Sequence, residues 1–433
     1  MKRVLTGLLL IMVLAGCGRS NKNDFVTVTD GIFQVGGEPY FYIGANYWYG
    51  AILGSRGEYG DRERLIRELD HMKSIGIDNL RVLAGAEGPD NEPFRVTPAL
   101  IISPGEFNED LLDGLDFLLS EMKKREMYAI LYLNNAWDWS GGFSQYLNWN
   151  GYGPIPYPNV PPNTWPQFMG FSGQFNSCEP CISMFEDHIR FIVGRINRYT
   201  GIKYTEDPVI MTWEIANEPR AFSDANIPAF EVMIKRIAAL LQELDQNHLV
   251  TTGTEGRHGC EQSMELFGRI HADPNIDYLT MHIWPKNWGW LDITNIAGTL
   301  DSSIWKTNRY MDEHFTVAEK LGKPIVLEEF GLPRDSHGFS PAEPTVSRDT
   351  YYRNAFEQIV DHAGRRGPLA GCNIWAYSGE GRAAEGRIHW QPGDAYLGDP
   401  PQEEQGLNSV FDTDSTIELI SGFSTSLAKI SKK

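Results

Sequence analysis

Val209-Ile210-Met211-Thr212-Trp213-Glu214-Ile215-Ala216-Asn217-Glu218-Pro219-Arg220 is an apolar run that stops on a polar, acid-bearing lip. Valine and isoleucine lead in, Asn217 and Glu218 sit where strand pairing should cease, and Pro219, which has no amide hydrogen for a ladder, ends it. A second run of the same build lies downstream: Pro324-Ile325-Val326-Leu327-Glu328-Glu329-Phe330-Gly331. Two strands that each finish on a glutamate suggest a carboxylate pair on a rigid scaffold. Hydrolysis of a glycosidic bond needs such a pair, one carboxylic acid to protonate the leaving oxygen and one carboxylate to attack or to activate water. Strand ends suit the task because they fix the separation and let neighbours push the two pKa values apart. A single strand-end glutamate is as readily a solvated rim acid, so the residues around the pair decide.

Strand-like and helix-like segments alternate along the chain. Strands are expected near 40–46, 78–84, 127–134, 208–217, 248–253, 277–283, 324–330 and 370–376, and helices near 61–76, 109–126, 182–200, 226–244, 261–268, 301–321, 349–366 and 414–430. Eight such pairs predict an α/β fold, a single (β/α)8 TIM barrel, with long loops after strands 3 and 8 at 136–181 and 378–407. Active sites of such barrels lie at the C-terminal strand ends, where Glu218 and Glu329 fall. Side chains alternate along a strand. Glu328 is therefore expected to face away from Glu329, towards the surrounding helices or the barrel side, and Glu214 to lie deeper on the face of Glu218 as a structural group.

Asn217-Glu218-Pro219 resembles the acid/base signature of glycoside hydrolase clan A, family 5 in particular, and Glu329-Phe330-Gly331 resembles the same family's nucleophile. The resemblance implies a retaining hydrolase with Glu218 as acid/base and Glu329 as nucleophile. It extends in chain order to three more residues. Arg81, in Asp78-Asn79-Leu80-Arg81-Val82-Leu83, is similar to the second-strand arginine that orients the nucleophile; His282, in Leu279-Thr280-Met281-His282-Ile283-Trp284-Pro285, to the sixth-strand histidine near the reacting sugar; and Trp375, in Cys372-Asn373-Ile374-Trp375-Ala376-Tyr377, to the eighth-strand tryptophan beneath the cleaved residue. Singly these read as a surface charge, a satisfied core imidazole and a core filler; their ordered recurrence argues otherwise. By the same resemblance Asn217 binds the 2-hydroxyl of the sugar being cleaved. One position departs: the family usually has a tyrosine two residues after the histidine, where this chain has Trp284, and an indole donates but neither accepts nor ionises. No cofactor is implied, and no ligand-spaced His/Asp cluster suggests a metal.

The stretch Leu131-Tyr132-Leu133-Asn134-Asn135-Ala136-Trp137-Asp138-Trp139-Ser140-Gly141-Gly142-Phe143-Ser144-Gln145-Tyr146 resembles the family's β-mannanase branch, although Ala136 loosens the match. Ile43-Gly44-Ala45-Asn46-Tyr47-Trp48-Tyr49 does likewise and brings Trp48 into the expected sugar-binding set beside Trp137, Trp284 and Trp375. The resemblance implies β-1,4-mannan or its oligosaccharides as partner rather than cellulose. Loop tryptophans at 137, 139, 149, 165, 284, 288 and 290 suit stacking on pyranose faces. The two long loops decide between cutting within a chain and releasing sugars from its end, and internal cutting is expected. A chain-end β-mannosidase, a β-1,4-glucanase and a noncatalytic glycan-binding lipoprotein are the rivals.

Residues 1–17 read as a signal, with Lys2 and Arg3, an apolar run too short for a permanent span, and Leu14-Ala15-Gly16-Cys17, which resembles a bacterial lipobox. Cys17 is thus the expected lipidation site of an exported, membrane-anchored protein, residues 18–30 the tether and barrel entry, and 31–433 one catalytic domain. A formal net charge of −19 argues against nucleic acid and against adsorption to anionic lipid. In an exported chain Cys178-Glu179-Pro180-Cys181 reads first as a disulfide; a redox motif is a distant second, and zinc would need two further ligands. Cys260 and Cys372 read as separate buried thiols, with a pairing left open.

Overall fold

Eight short parallel strands form the centre of the computed structural model, which describes residues 24–430; the expected signal and Cys17 lie outside the described residues. They are β1 (Tyr42–Asn46), β2 (Asn79–Leu83), β3 (Tyr128–Tyr132), β4 (Ile210–Glu214), β5 (Leu249–Thr251), β6 (Leu279–Ile283), β7 (Ile325–Phe330) and β8 (Leu369–Ile374). Nearly every strand residue is buried, because helices cover one side and the packed barrel interior the other. The strands hydrogen-bond in the order β5-β4-β3-β2-β1-β8-β7-β6. The row is drawn into a barrel where the Asp277 N–H donates to Val250 O (2.8 Å) and the Thr251 hydroxyl to Tyr278 O (2.9 Å), which ties β5 to β6.

The outer layer is α1 (Arg62–Ser74), α2 (Glu109–Lys124), α3 (Glu179–Val193), α4 (Ile227–Leu244), α5 (Met264–His271), α6 (Ile296–Leu321), α7 (Val346–Arg365) and α8 (Thr416–Ile430). Local chemistry sets where they begin. Ser263 accepts from the Leu266 N–H and Asn295 from the Gly298 N–H, so α5 starts three residues and α6 five residues away from the expected positions. The third helix stops at Val193, short of the expected residue 200. There Asn197 gathers the N–H groups of Tyr199 and Thr200 into a turn, and Ile196 bridges back to Lys203.

Two insertions rise over the C-terminal mouth. The one after β3 carries helical segments at Gly142–Trp149 and Trp165–Ser172 and ends at the Cys178–Cys181 disulfide, which ties the N-cap of α3 to its first turn. Its paired glycines are required: both have positive φ (+91° and +53°), and a Cβ on Gly142 would lie 2.0 Å from Asn135 O. The insertion after β8 is pinned by Asp399, whose carboxylate accepts the N–H groups of Gly406, Asn408 and Ser409 and the Ser409 hydroxyl. Fully buried Arg348 of α7 donates to the carbonyls of Leu332, Leu407 and Ser409 beside it. Cys260 and Cys372 are separate buried thiols.

Candidate active site

Pairing continues past the end of β4, through Ile215 N–H to Thr251 O (3.0 Å), Asn217 N–H to Asn134 O (2.8 Å) and Glu218 N–H to Gly253 O (2.9 Å). Both neighbouring strands thus hold the Asn217-Glu218 main chain. Glu218 has φ +48°, a left-handed conformation that a glutamate adopts only where its surroundings impose it, and such strain gathers at functional sites.

Arg81 on β2 organises the layer beneath. Its Nε and Nη2 donate to Glu214 at 2.9 and 2.6 Å, Nη2 also to Asn217 Oδ1 (2.8 Å), and Nη1 to Asn46 Oδ1 (3.0 Å) and to Glu329 Oε1. The guanidinium lies 4.5 Å from the Tyr132 ring centre. Only a planar fork serves two carboxylates and two amides at once. Glu214 is therefore the deep group that its spacing implied; burial pushes its carboxyl up against the opposing charge of Arg81.

His282 on β6 stands between the two strand-end glutamates, with Nδ1 2.8 Å from Glu218 Oε1 and 3.3 Å from Glu329 Oε2. An oxygen of Glu218 and one of Glu329 lie within 4.8 Å of each other. Burial raises the Glu218 carboxyl, but the hydrogen bond and charge of His282, the charge of Arg220 and the Trp137 N–H outweigh it and hold Glu218 below the ordinary carboxylate range. Burial also opposes a charged His282, yet Glu329, Glu218 and Glu328 keep the imidazolium well above its usual value. These three side chains are, among the described residues, the group spaced as a cation's ligands would be. His282 Nδ1 hydrogen-bonds Glu218 and lies at ion-pair distance from Glu329, and we assign no metal there.

Glu328 corrects the reading from simple alternation. The register of β6 on β7 slips between Met281, which pairs with Leu327, and His282, which pairs with Glu329, so Glu328 is the extra residue of a bulge. Its buried carboxylate does not turn away from Glu329's network. It lies 3.6 Å from His282 Nε2 and 3.9 Å from Arg81 Nε.

A cleft of about 480 Å³ opens above the pair, lined by Asn217, Glu218, Glu329, Trp137, Trp139, Trp284 and Trp375 with residues of both long loops. Trp375 is buried at its base, with Trp284 edge-on to it (5.9 Å). The Trp137 indole donates to Glu218 Oε2, and half-exposed Trp165 stands edge-on to it at the rim. Trp48 is placed elsewhere: it does not line the cleft, its indole N–H is committed to Gly398 O (2.7 Å), and its ring backs Trp139 at 6.0 Å. Its nearness in sequence to strand β1 carried no information on side-chain direction.

Some site residues were not singled out from the sequence. Arg220 donates to Glu255 (Nε to Oε2, 2.6 Å) and lies 5.2 Å over the Trp137 ring, while burial pushes Glu255 up to about 7 against the charge of Arg220. Both had a signal, since Arg220 follows Pro219 and Glu255 ends the fifth strand region. Asn135 holds the Asn217 amide (3.1 Å), and Gln402 and Glu403 of the last loop form a cleft wall.

The family described as "GH family 5 beta-mannosidase-like" matches residues 23–432. The chain belongs to glycoside hydrolase family 5. A family 5 mannosidase structure from Rhizomucor miehei is 37% identical and superposes with a TM-score of 0.87, over 95% of this chain and 100% of that one. A glutamate-to-alanine mutant of that mannosidase, solved in complex with mannosyl-fructose, is 38% identical with the same TM-score, over 95% and 99%. Mannan endo-1,4-beta-mannosidase 7 of Arabidopsis thaliana is 30% identical over 79% of this chain and 75% of its own length. As a family 5 member the chain is a glycosyl hydrolase on a TIM barrel, and its paired acids sit at the mouth of that barrel.

Proposed function

We propose that this enzyme hydrolyses β-1,4-mannosidic bonds with retention, Glu218 acting as acid/base and Glu329 as nucleophile. The carrying observation is the spacing of the two carboxylates. Oxygens within 4.8 Å suit the roughly 5–5.5 Å carboxyl separation of a double displacement and leave no room for the water that inverting enzymes hold in a gap of about 6.5–9.5 Å. Arg81 fixes Glu329 and stabilises its charge. Asn217, its Oδ1 held by Arg81 and its Nδ2 by Asn135, lines the cleft beside Glu218. The mannosidase and mannanase names of the relatives support mannose as the sugar.

The loops favour attack at a chain end over the internal cut expected from sequence. Asn159 of the first insertion donates to Gln402 O (3.3 Å), Lys286 after β6 pairs with Glu404 (3.7 Å), and Tyr396 donates to Thr97 O. The last loop is thus tied to three others and walls the cleft with Pro400, Gln402 and Glu403. Export and anchoring through Cys17 belong to the proposal on sequence alone. Time courses on mannopentaose reduced at its end separate the modes: chain-end action releases mannose and the tetraitol first, whereas early mannobiose and mannotriose would establish internal cutting.

A further inference from the structure

We propose that His282 stores the proton used by the acid/base and that Glu328 is the positioning residue that keeps His282 charged. The proposal rests on Glu218 being the acid/base and Glu329 the nucleophile. His282 is fully buried, its Nδ1 reaches both catalytic carboxylates, and its Nε2 has no hydrogen-bond partner, with a Glu328 oxygen 3.6 Å away. Both oxygens of Glu328 are buried without a hydrogen bond. A buried carboxylate in that condition costs stability unless a charge compensates it, and the cations beside it are His282 and Arg81. Arg81 is already committed to Glu214 and Glu329. The charges facing His282 are Glu214 from β4, Glu218 beyond its end, Glu255 beyond β5, and Glu328 and Glu329 from β7, with Arg81 from β2 offsetting part of them.

Proton bookkeeping then runs through the imidazole. In the resting site Glu218 and Glu329 are carboxylates and His282 is an imidazolium. As the glycosidic C–O bond breaks, Glu218 takes the Nδ1 proton and passes it to the leaving oxygen, while a Glu329 oxygen bonds to C1. The negative charge of Glu329 and the positive charge of His282 vanish together, so the net charge of the pocket is unchanged. In the second half water attacks C1, its proton goes through Glu218 back to Nδ1, and the C1–Glu329 bond breaks to restore the carboxylate. Glu328 does not touch the sugar. Its fixed charge adds to those of Glu329 and Glu218 in making the imidazolium the resting form.

Two measurements test this. Nitrogen-15 NMR of histidine-labelled wild-type enzyme, assigned with His282→Asn, should show an imidazolium at pH 7 that becomes neutral once 2-deoxy-2-fluoro-β-mannosyl fluoride has esterified Glu329. A neutral ring at rest, or one still charged in the trapped enzyme, overturns the proposal. Labelling of a residue other than Glu329 overturns the underlying assignment of the nucleophile instead. In Glu328→Gln the basic limb of kcat/KM on mannobiose should fall by about one pH unit, the low end of what one neighbouring charge produces. The kcat/KM for 2,4-dinitrophenyl β-mannoside, which reports glycosylation with a leaving group that needs no proton, should stay within a few-fold of wild type. An unmoved limb, or equal losses on both substrates, marks Glu328 as merely structural and overturns its assigned role.

Discussion

Replacing Trp137 by phenylalanine keeps an aromatic face and removes one function, the indole N–H that donates to Glu218 Oε2. The other neighbours of the ring are Trp165, Phe168, Phe222 and the face of Arg220, contacts that a phenyl ring largely keeps. A hydrogen bond to a charged group contributes about 1.5–3 kcal/mol, and here it favours the ionised form of Glu218. A carboxyl whose folded-state pKa is depressed adds stability above its unfolded value, about 4.3 for glutamate, and loses it as pH falls through the folded value. Removing the donor raises the folded value. The variant should therefore lose about 1.5–3 kcal/mol at pH 7, plus a pH-independent remainder from the smaller ring, and the first part should shrink as pH falls below about 4. The basic limb of kcat/KM should move to higher pH, opposite to its movement in Glu328→Gln. Urea unfolding followed by circular dichroism between pH 3 and 7, with a pH–rate profile, reads both effects. A destabilisation equal at every pH, with an unmoved limb, refutes the reasoning and leaves Trp137 as packing alone.

Arg81→Met removes the partner of two buried carboxylates, Glu214 and Glu329, and should cost about 3–5 kcal/mol in urea unfolding; a loss under about 1 kcal/mol contradicts its organising role. Exchanging both Cys178 and Cys181 for serine opens a cross-link between residues three apart, and chain entropy puts the loss near 2 kcal/mol, seen as a lower urea midpoint. An unchanged midpoint would show that this cross-link does not constrain the unfolded chain. Glu218→Ala should lower turnover of mannobiose by about 10²–10⁴ while leaving dinitrophenyl mannoside glycosylation far less affected; equal losses on both would remove the acid role.

The barrel was legible because strands buried on both faces read as apolar runs, and Glu218 and Glu329 stood out as the acids that end two of them. Helix starts were less so, since Ser263 and Asn295 become caps only when the backbone turns there. Glu328 was misread because strict alternation assumes an unbroken register, and the bulge at Met281–His282 is set by the pairing of two strands, not by either sequence. Trp48 shows the same limit: a segment that resembles a sugar-binding strand does not say which way its side chains point. The Arg220–Glu255 pair joins two strand ends, and the wall made by 400–403 depends on contacts with three other loops. Neither is a local property of the chain.

Proton NMR of wild-type enzyme acting on β-1,4-mannotriose, recorded before mutarotation, tests the central claim most directly. A displacement through Glu329 predicts that the newly formed reducing end appears first as the β anomer, with α growing in only at the rate of free mutarotation. Prompt appearance of the α anomer would mean inversion, and would contradict both the roles of the two carboxylates and the significance of the short distance between them.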